Sequence, residues 1–123
     1  MMTFKYQKEH SLEERQSESK RLLNTYQDRV PVIVEVAPNS NLPPLPKSNY
    51  LVRGDMTVTK FIFIIRRNIS LKEEFALFFL ANNYPLEGHI TMRETYYNYK
   101  DKDDNFLYIC VATEIFQGGN KFK

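Results

Sequence analysis

A run of apolar residues at helical spacing stands at the middle of the chain, and it constrains the fold more than any other feature. Val58, Phe61, Ile62, Ile65 and Ile69 recur three or four residues apart, the mark of a helix with one buried face. Thr57 is placed to cap its first turn, so the spacing predicts a helix to about Asn68. Strand-like runs flank it on both sides. Before it, the β-branched stretch from Val30 to Val36 predicts a strand, with Pro31 tolerable near its start, and Tyr50-Leu51-Val52 predicts a second. The segment from Pro38 to Pro46, with four prolines, is a loop between them. After the helix, Leu77 to Ala81 predicts a short strand followed by turn residues at Asn82-Asn83 and Pro85 to Gly88, and Phe106 to Ala112 predicts the last strand. Two capping boxes, Ser11 with Glu14 and Thr91 with Glu94, open helices over about 12–26 and 92–99. The first has few apolar residues and is expected on the outside of the domain. The order helix, strand, strand, helix, strand, helix, strand implies an α+β domain with one sheet packed on a central helix.

Composition narrows the function classes. A chain of 123 residues with 42% hydrophobic content is one domain's worth of core. A net charge of +2 is too small to make nucleic acid or a strongly anionic surface the primary partner. Cys110 is the single cysteine, which leaves no internal disulfide and no multi-cysteine zinc site, and its apolar surroundings predict a buried thiol in a reducing compartment. The N-terminal Met-Met-Thr-Phe-Lys-Tyr carries no apolar signal core, and no stretch reaches transmembrane length. Any membrane contact is therefore expected to come through an attachment.

Catalytic patterns are weak. Cys110 with His10 or His89 supplies the residue types of a nucleophile and base, but a reactive thiolate needs an exposed, electropositive setting. Asp101, Asp103 and Asp104 lack the glycine and distal glutamate of a calcium loop and read as a solvated turn. With no phosphate-binding glycine loop, metal-ligand cluster or nucleophile elbow, the chain is not expected to be an enzyme or to hold a cofactor or metal. Two other features point to interactions. Phe61 to Ile65 is five apolar residues in succession, which at roughly 100° per residue surround the helix; either neighbouring elements cover the excess or it forms a partner groove. Beyond the last strand stand Gly118 and Gly119. They are either part of a frayed end or a backbone slim enough to thread an enzyme's channel.

Phe4-Lys5, Glu14-Arg15 with Glu18, Asp28 to Ile33 with Glu35, Lys47 with Tyr50-Leu51-Val52, Asp55 to Val58, Phe61 to Arg67, Ala76 to Phe79, and Asp103 with Phe106-Leu107-Tyr108 stand in one order over nearly the whole chain. Through these residues the chain resembles the autophagy-related protein 8 family of ubiquitin-like modifiers, of the GABA-receptor-associated protein and microtubule-associated protein light chain type. The resemblance implies a ubiquitin-like β-grasp, with a four-stranded mixed sheet on a central helix. The implied organisation is an N-terminal helical extension over 1–27, a ubiquitin-like domain over 28–116 and a tail over 117–123. It also implies a life cycle. A processing cysteine protease trims the tail to a glycine, Gly118 by alignment, removing the segment from Gly119. Activating and conjugating enzymes then join that glycine to phosphatidylethanolamine, so the protein is cytoplasmic and, when lipidated, on the autophagosomal membrane.

The family binds aromatic-x-x-aliphatic peptides of cargo receptors by adding them as a strand to the sheet edge. The resemblance maps the first pocket to Glu18, Leu22, Pro31, Ile33, Leu51 and Phe106, with Lys47 beside it. The second maps to Tyr50, Val52, Met56, Phe61 and Ile64, and Arg29, Arg66 and Arg67 are basic contacts for acidic peptide residues or the conjugation enzymes. Three positions depart from the family pattern. Gln117 stands before Gly118 in place of the usual aromatic, and Asn49 and Asn68 occupy positions that are often basic.

Overall fold

The computed structural model describes residues 2–38, 40–69 and 76–113. Its elements are α1 (Lys5–Glu9), α2 (Leu12–Thr25), β1 (Arg29–Val36), β2 (Asn49–Arg53), α3 (Val58–Asn68), β3 (Phe78–Ala81), β4 (Tyr84–Pro85), α4 (Met92–Tyr99) and β5 (Leu107–Ala112). The helix starts follow local chemistry. Thr57 Oγ1 accepts from Lys60 N at 3.2 Å, and both capping boxes close, with Glu14 N donating to Ser11 Oγ and Glu94 N donating to Thr91 Oγ1, each at 3.1 Å.

The strands form one mixed sheet in the order β2-β1-β5-β3-β4. β1 and β5 are parallel neighbours, and the other pairs are antiparallel. Among the described residues the sheet therefore has five strands where four are expected. Asn82 and Asn83 take positive φ of 52° and 68°, which asparagine tolerates. This tight turn folds Tyr84–Pro85 back on Leu80 and Ala81. A two-residue strand has too little pattern to read in advance.

The second unexpected element is α1. Its first turn is capped from a distance, the Glu35 carboxylate accepting from Lys5 N at 2.7 Å and from Tyr6 N at 3.0 Å. The central strands β1 and β5 are covered on both faces. Val30, Val32 and Val34 join Leu107, Ile109 and Val111 in the main core against Phe61 and Ile65 of α3. On the opposite face Ile33, Phe106 and Tyr108 pack with Phe4 and Leu22 beneath the N-terminal helices. Double-sided burial explains why both strands read as continuous apolar runs.

Candidate functional site

β2 is an edge strand, and its ladder tells which main-chain groups are free. Val34 N donates to the Ser48 carbonyl at 2.8 Å and Gly54 N to the Asp28 carbonyl at 2.9 Å, in the same register that pairs Val32 with Tyr50 and Val30 with Val52. Bonded and non-bonded pairs alternate in such a ladder, so Tyr50 and Val52 spend their main-chain groups on β1, while Asn49, Leu51 and Arg53 direct theirs outward. An extended chain laid along β2 would meet those groups.

Side chains on the two faces of β2 separate two environments. Cross-strand partners share a face, so Leu51 projects with Pro31 toward α2, and Tyr50 projects with Val32 toward α3. On the α2 side lies a pocket of about 160 Å³, lined by Glu18, Leu22, Leu51 and Phe106 together with Val32, Asn49 and Tyr50. By strand alternation the side chains of Val32 and Tyr50 face the other way, and what they lend is main chain. Pro31 and Ile33 are buried below, and Ile33 belongs to the second core. At the mouth, Arg21 donates to both Glu18 oxygens at 3.0 and 2.8 Å. That hydrogen bonding holds the Glu18 carboxyl below its usual range, so the pocket carries a paired carboxylate. The Lys47 ammonium lies 4.8 Å from the centre of the Tyr50 ring. Lys47 is therefore on the Tyr50 side of β2 and not in the wall of this pocket.

The α3 side is tighter. The Tyr50 and Phe61 rings meet edge to face at 5.5 Å. Val52 and Phe61 are 5% and 1% exposed and belong to the main core, while Met56 and Ile64 are half-buried. Phe61 is thus core, and the apolar excess of the helix falls on Phe63, 59% exposed, with the Arg67 guanidinium 5.9 Å from its ring. Arg66 and Arg67 end α3 as basic last-turn residues. Arg29 reaches the edge itself, Nη1 donating to the outward Leu51 carbonyl at 3.5 Å. β2 begins at Asn49, one residue before the apolar pattern of Tyr50-Leu51-Val52, because a polar residue gives no period-two signal; the resemblance is what places Asn49 at this edge. Gly118 and Gly119 lie outside the described residues.

Cys110 is half-buried, not enclosed as its surroundings suggest. It borders a second pocket, of about 190 Å³, with Met2, Phe4 and Leu80. On β5 it shares a face with Phe106 and Tyr108, and cover from the N-terminal helices thins toward that end of the strand. Burial, and after it the charge of Glu35, push its thiol above the ordinary value, the reverse of what a nucleophile requires. Alkylation by iodoacetamide at neutral pH is expected to be several-fold slower in the folded protein than in urea, and equal rates would contradict that environment. No helix among the described residues is long and apolar enough to cross a membrane.

The family described as "Autophagy protein Atg8 ubiquitin like" matches residues 14–118. The structure of Trypanosoma brucei ATG8 superposes with a TM-score of 0.82 at 34% identity, covering 90% of this chain and 95% of that one. Plasmodium falciparum Atg8, solved in complex with a Plasmodium falciparum Atg3 peptide, superposes with a TM-score of 0.83 at 30% identity, covering 91% and 98%. With a match through the ubiquitin-like core and beyond it, the chain belongs to the Atg8 family, whose members are ubiquitin-like modifiers and not themselves enzymes.

Proposed function

We propose that this protein is an autophagy modifier that is attached through Gly118 to phosphatidylethanolamine and recruits partners that carry aromatic-x-x-aliphatic segments. The observation that carries the reading is the open β2 edge, with outward main-chain groups at Asn49, Leu51 and Arg53 beside a pocket walled by Glu18, Leu22, Leu51 and Phe106. In that arrangement a bound segment hydrogen-bonds along β2 and sets its aromatic residue against Leu22, Leu51 and Phe106. The aliphatic residue, on the same side of β2 as Tyr50, rests on Met56 and Ile64 over the buried floor of Val52 and Phe61. Lys47, Arg29, Arg66 and Arg67 supply positive charge for acidic flanking residues. The Plasmodium relative was solved with an Atg3 peptide, which supports a segment of a conjugating enzyme as one class of occupant, with cargo receptors as another.

In this reading the N-terminal extension over 1–27 walls the groove, the domain over 28–116 supplies its edge, and the tail over 117–123 is the attachment device. A processing protease removes the chain from Gly119, activating and conjugating enzymes pass Gly118 to the lipid, and the protein moves from cytoplasm to the autophagosomal membrane. Intact mass spectrometry of the cellular protein tests the first step, and Gly118→Ala the second. A mass lowered by the residues from Gly119 to Lys123 and loss of the lipidated form in Gly118→Ala are expected. A full-length mass that does not change on starvation would overturn attachment. Gln117 in place of an aromatic before Gly118 favours one alternative, an unconjugated adaptor. That adaptor would bind the same peptides and never acquire lipid.

A further inference from the structure

Both walls of the pocket beside β2 are tied to one residue that lines no part of it. Asp104, fully buried in the turn before β5, accepts at its main-chain carbonyl from Ser19 Oγ at 2.5 Å. Ser19 lies on α2 between the wall residues Glu18 and Leu22, and it is the one buried residue of that helix. The Asp104 carboxylate faces the opposite wall, with Oδ1 accepting from Phe106 N at 2.9 Å. Its Oδ2 takes the Tyr108 hydroxyl at 2.5 Å and Arg15 Nη1, again from α2, at 3.4 Å. Burial pushes the Asp104 carboxyl up, and the hydrogen bonds from Tyr108 and Phe106 oppose that shift.

The apolar contacts of α2 are too few to set its distance from the sheet. Leu12 is exposed, and Leu22 and Leu23 are only partly buried. Apolar contacts also let a helix slide, whereas a hydrogen bond weakens within a few tenths of an ångström. Arg15 Nε is buried and finds no acceptor among the described residues, so the guanidinium is oriented by Asp104 rather than by its own full complement of partners.

We propose that Asp104 is a positioning residue that sets the width of the first pocket and, through that width, which aromatic side chain the groove prefers. The inference rests on the peptide-groove reading above. Ser19 and Arg15 hold one wall to it and Phe106 the other, so an indole and a phenyl ring meet a gap of fixed size. If the tie is cut, α2 is free to adjust, and the groove accepts either ring with similar affinity.

The test uses three peptides that differ only in Trp, Tyr or Phe at the first position, titrated against the wild-type full chain, Ser19→Ala and Asp104→Asn. Circular dichroism selects a temperature at which each variant is folded. In Asp104→Asn an amide donor replaces the acceptor that faces Arg15; Ser19→Ala deletes the tie to the Asp104 carbonyl, along with a bond to the Gln16 carbonyl inside α2, and carries the test if the first variant does not fold. The spread of affinities across the three peptides is expected to shrink on the order of threefold or more in each variant. A loss of folded protein alone would weaken all three peptides by one common factor and leave the spread intact, and that result would overturn the role of Asp104. Wild-type protein that binds none of the peptides would instead remove the groove reading itself, and this inference with it.

Discussion

Replacing Phe61 by alanine is expected to lower the unfolding free energy by about 3–5 kcal/mol, because a fully enclosed aromatic ring leaves both its transfer free energy and a cavity behind. The ring is 1% exposed between the sheet and α3, and its edge-to-face contact with Tyr50 at 5.5 Å is lost with it. For a domain whose total stability is about 5–15 kcal/mol, that is a large share. At a few degrees per kcal/mol, the melting temperature should fall by roughly 10–20 °C. A thermal melt followed by circular dichroism checks this. A variant that melts like the wild type and loses only peptide affinity would return Phe61 to the wall of an open second pocket.

Leu51→Glu addresses recognition. Leu51 is half-buried, with its side chain in the first pocket and its main-chain groups outward. A carboxylate there replaces apolar wall and stands in the same pocket as Glu18, so aromatic insertion must desolvate a charge. Affinity for an aromatic-x-x-aliphatic peptide is expected to drop about a hundredfold, the scale of a strong interface hot spot. Stability should change by no more than about 1 kcal/mol, since the site is a partly exposed edge position. Isothermal titration with wild type and variant measures the ratio. Undiminished binding would move the groove away from β2.

Which parts of this molecule were legible in its sequence follows from how local their causes are. The starts of α2, α3 and α4 depend on side chains three residues from the groups they cap, and Ser11, Thr57 and Thr91 declare them. The helix α1 has one local tie, Phe4 N donating to Gln7 Oε1 at 3.2 Å, but its first turn also depends on Glu35, some thirty positions away, which no local pattern announces. The turn at Asn82-Asn83 is visible, but the two residues that pair after it are too few to show a period. Within Phe61 to Ile65 the helical phase already separates Phe61 and Ile65 from Phe63; assigning Phe61 to a binding surface required the family, and the packing of this chain puts it in the core. Four wall residues of the first pocket are legible through the resemblance alone. The residue behind them, Asp104, reads as part of a solvated turn, because a string of acids carries no hint that one of them is enclosed.

The two edges of the sheet differ in length and in chemistry. β2 offers five residues, whereas β4 offers two, one of them Pro85, which has no N–H to donate. A second copy that docked on β2 through its own β4 would gain almost no ladder, so head-to-tail growth into a filament has no template among the described residues from which to continue. Neighbouring copies can thus keep a sticky edge exposed for other proteins without polymerising through it.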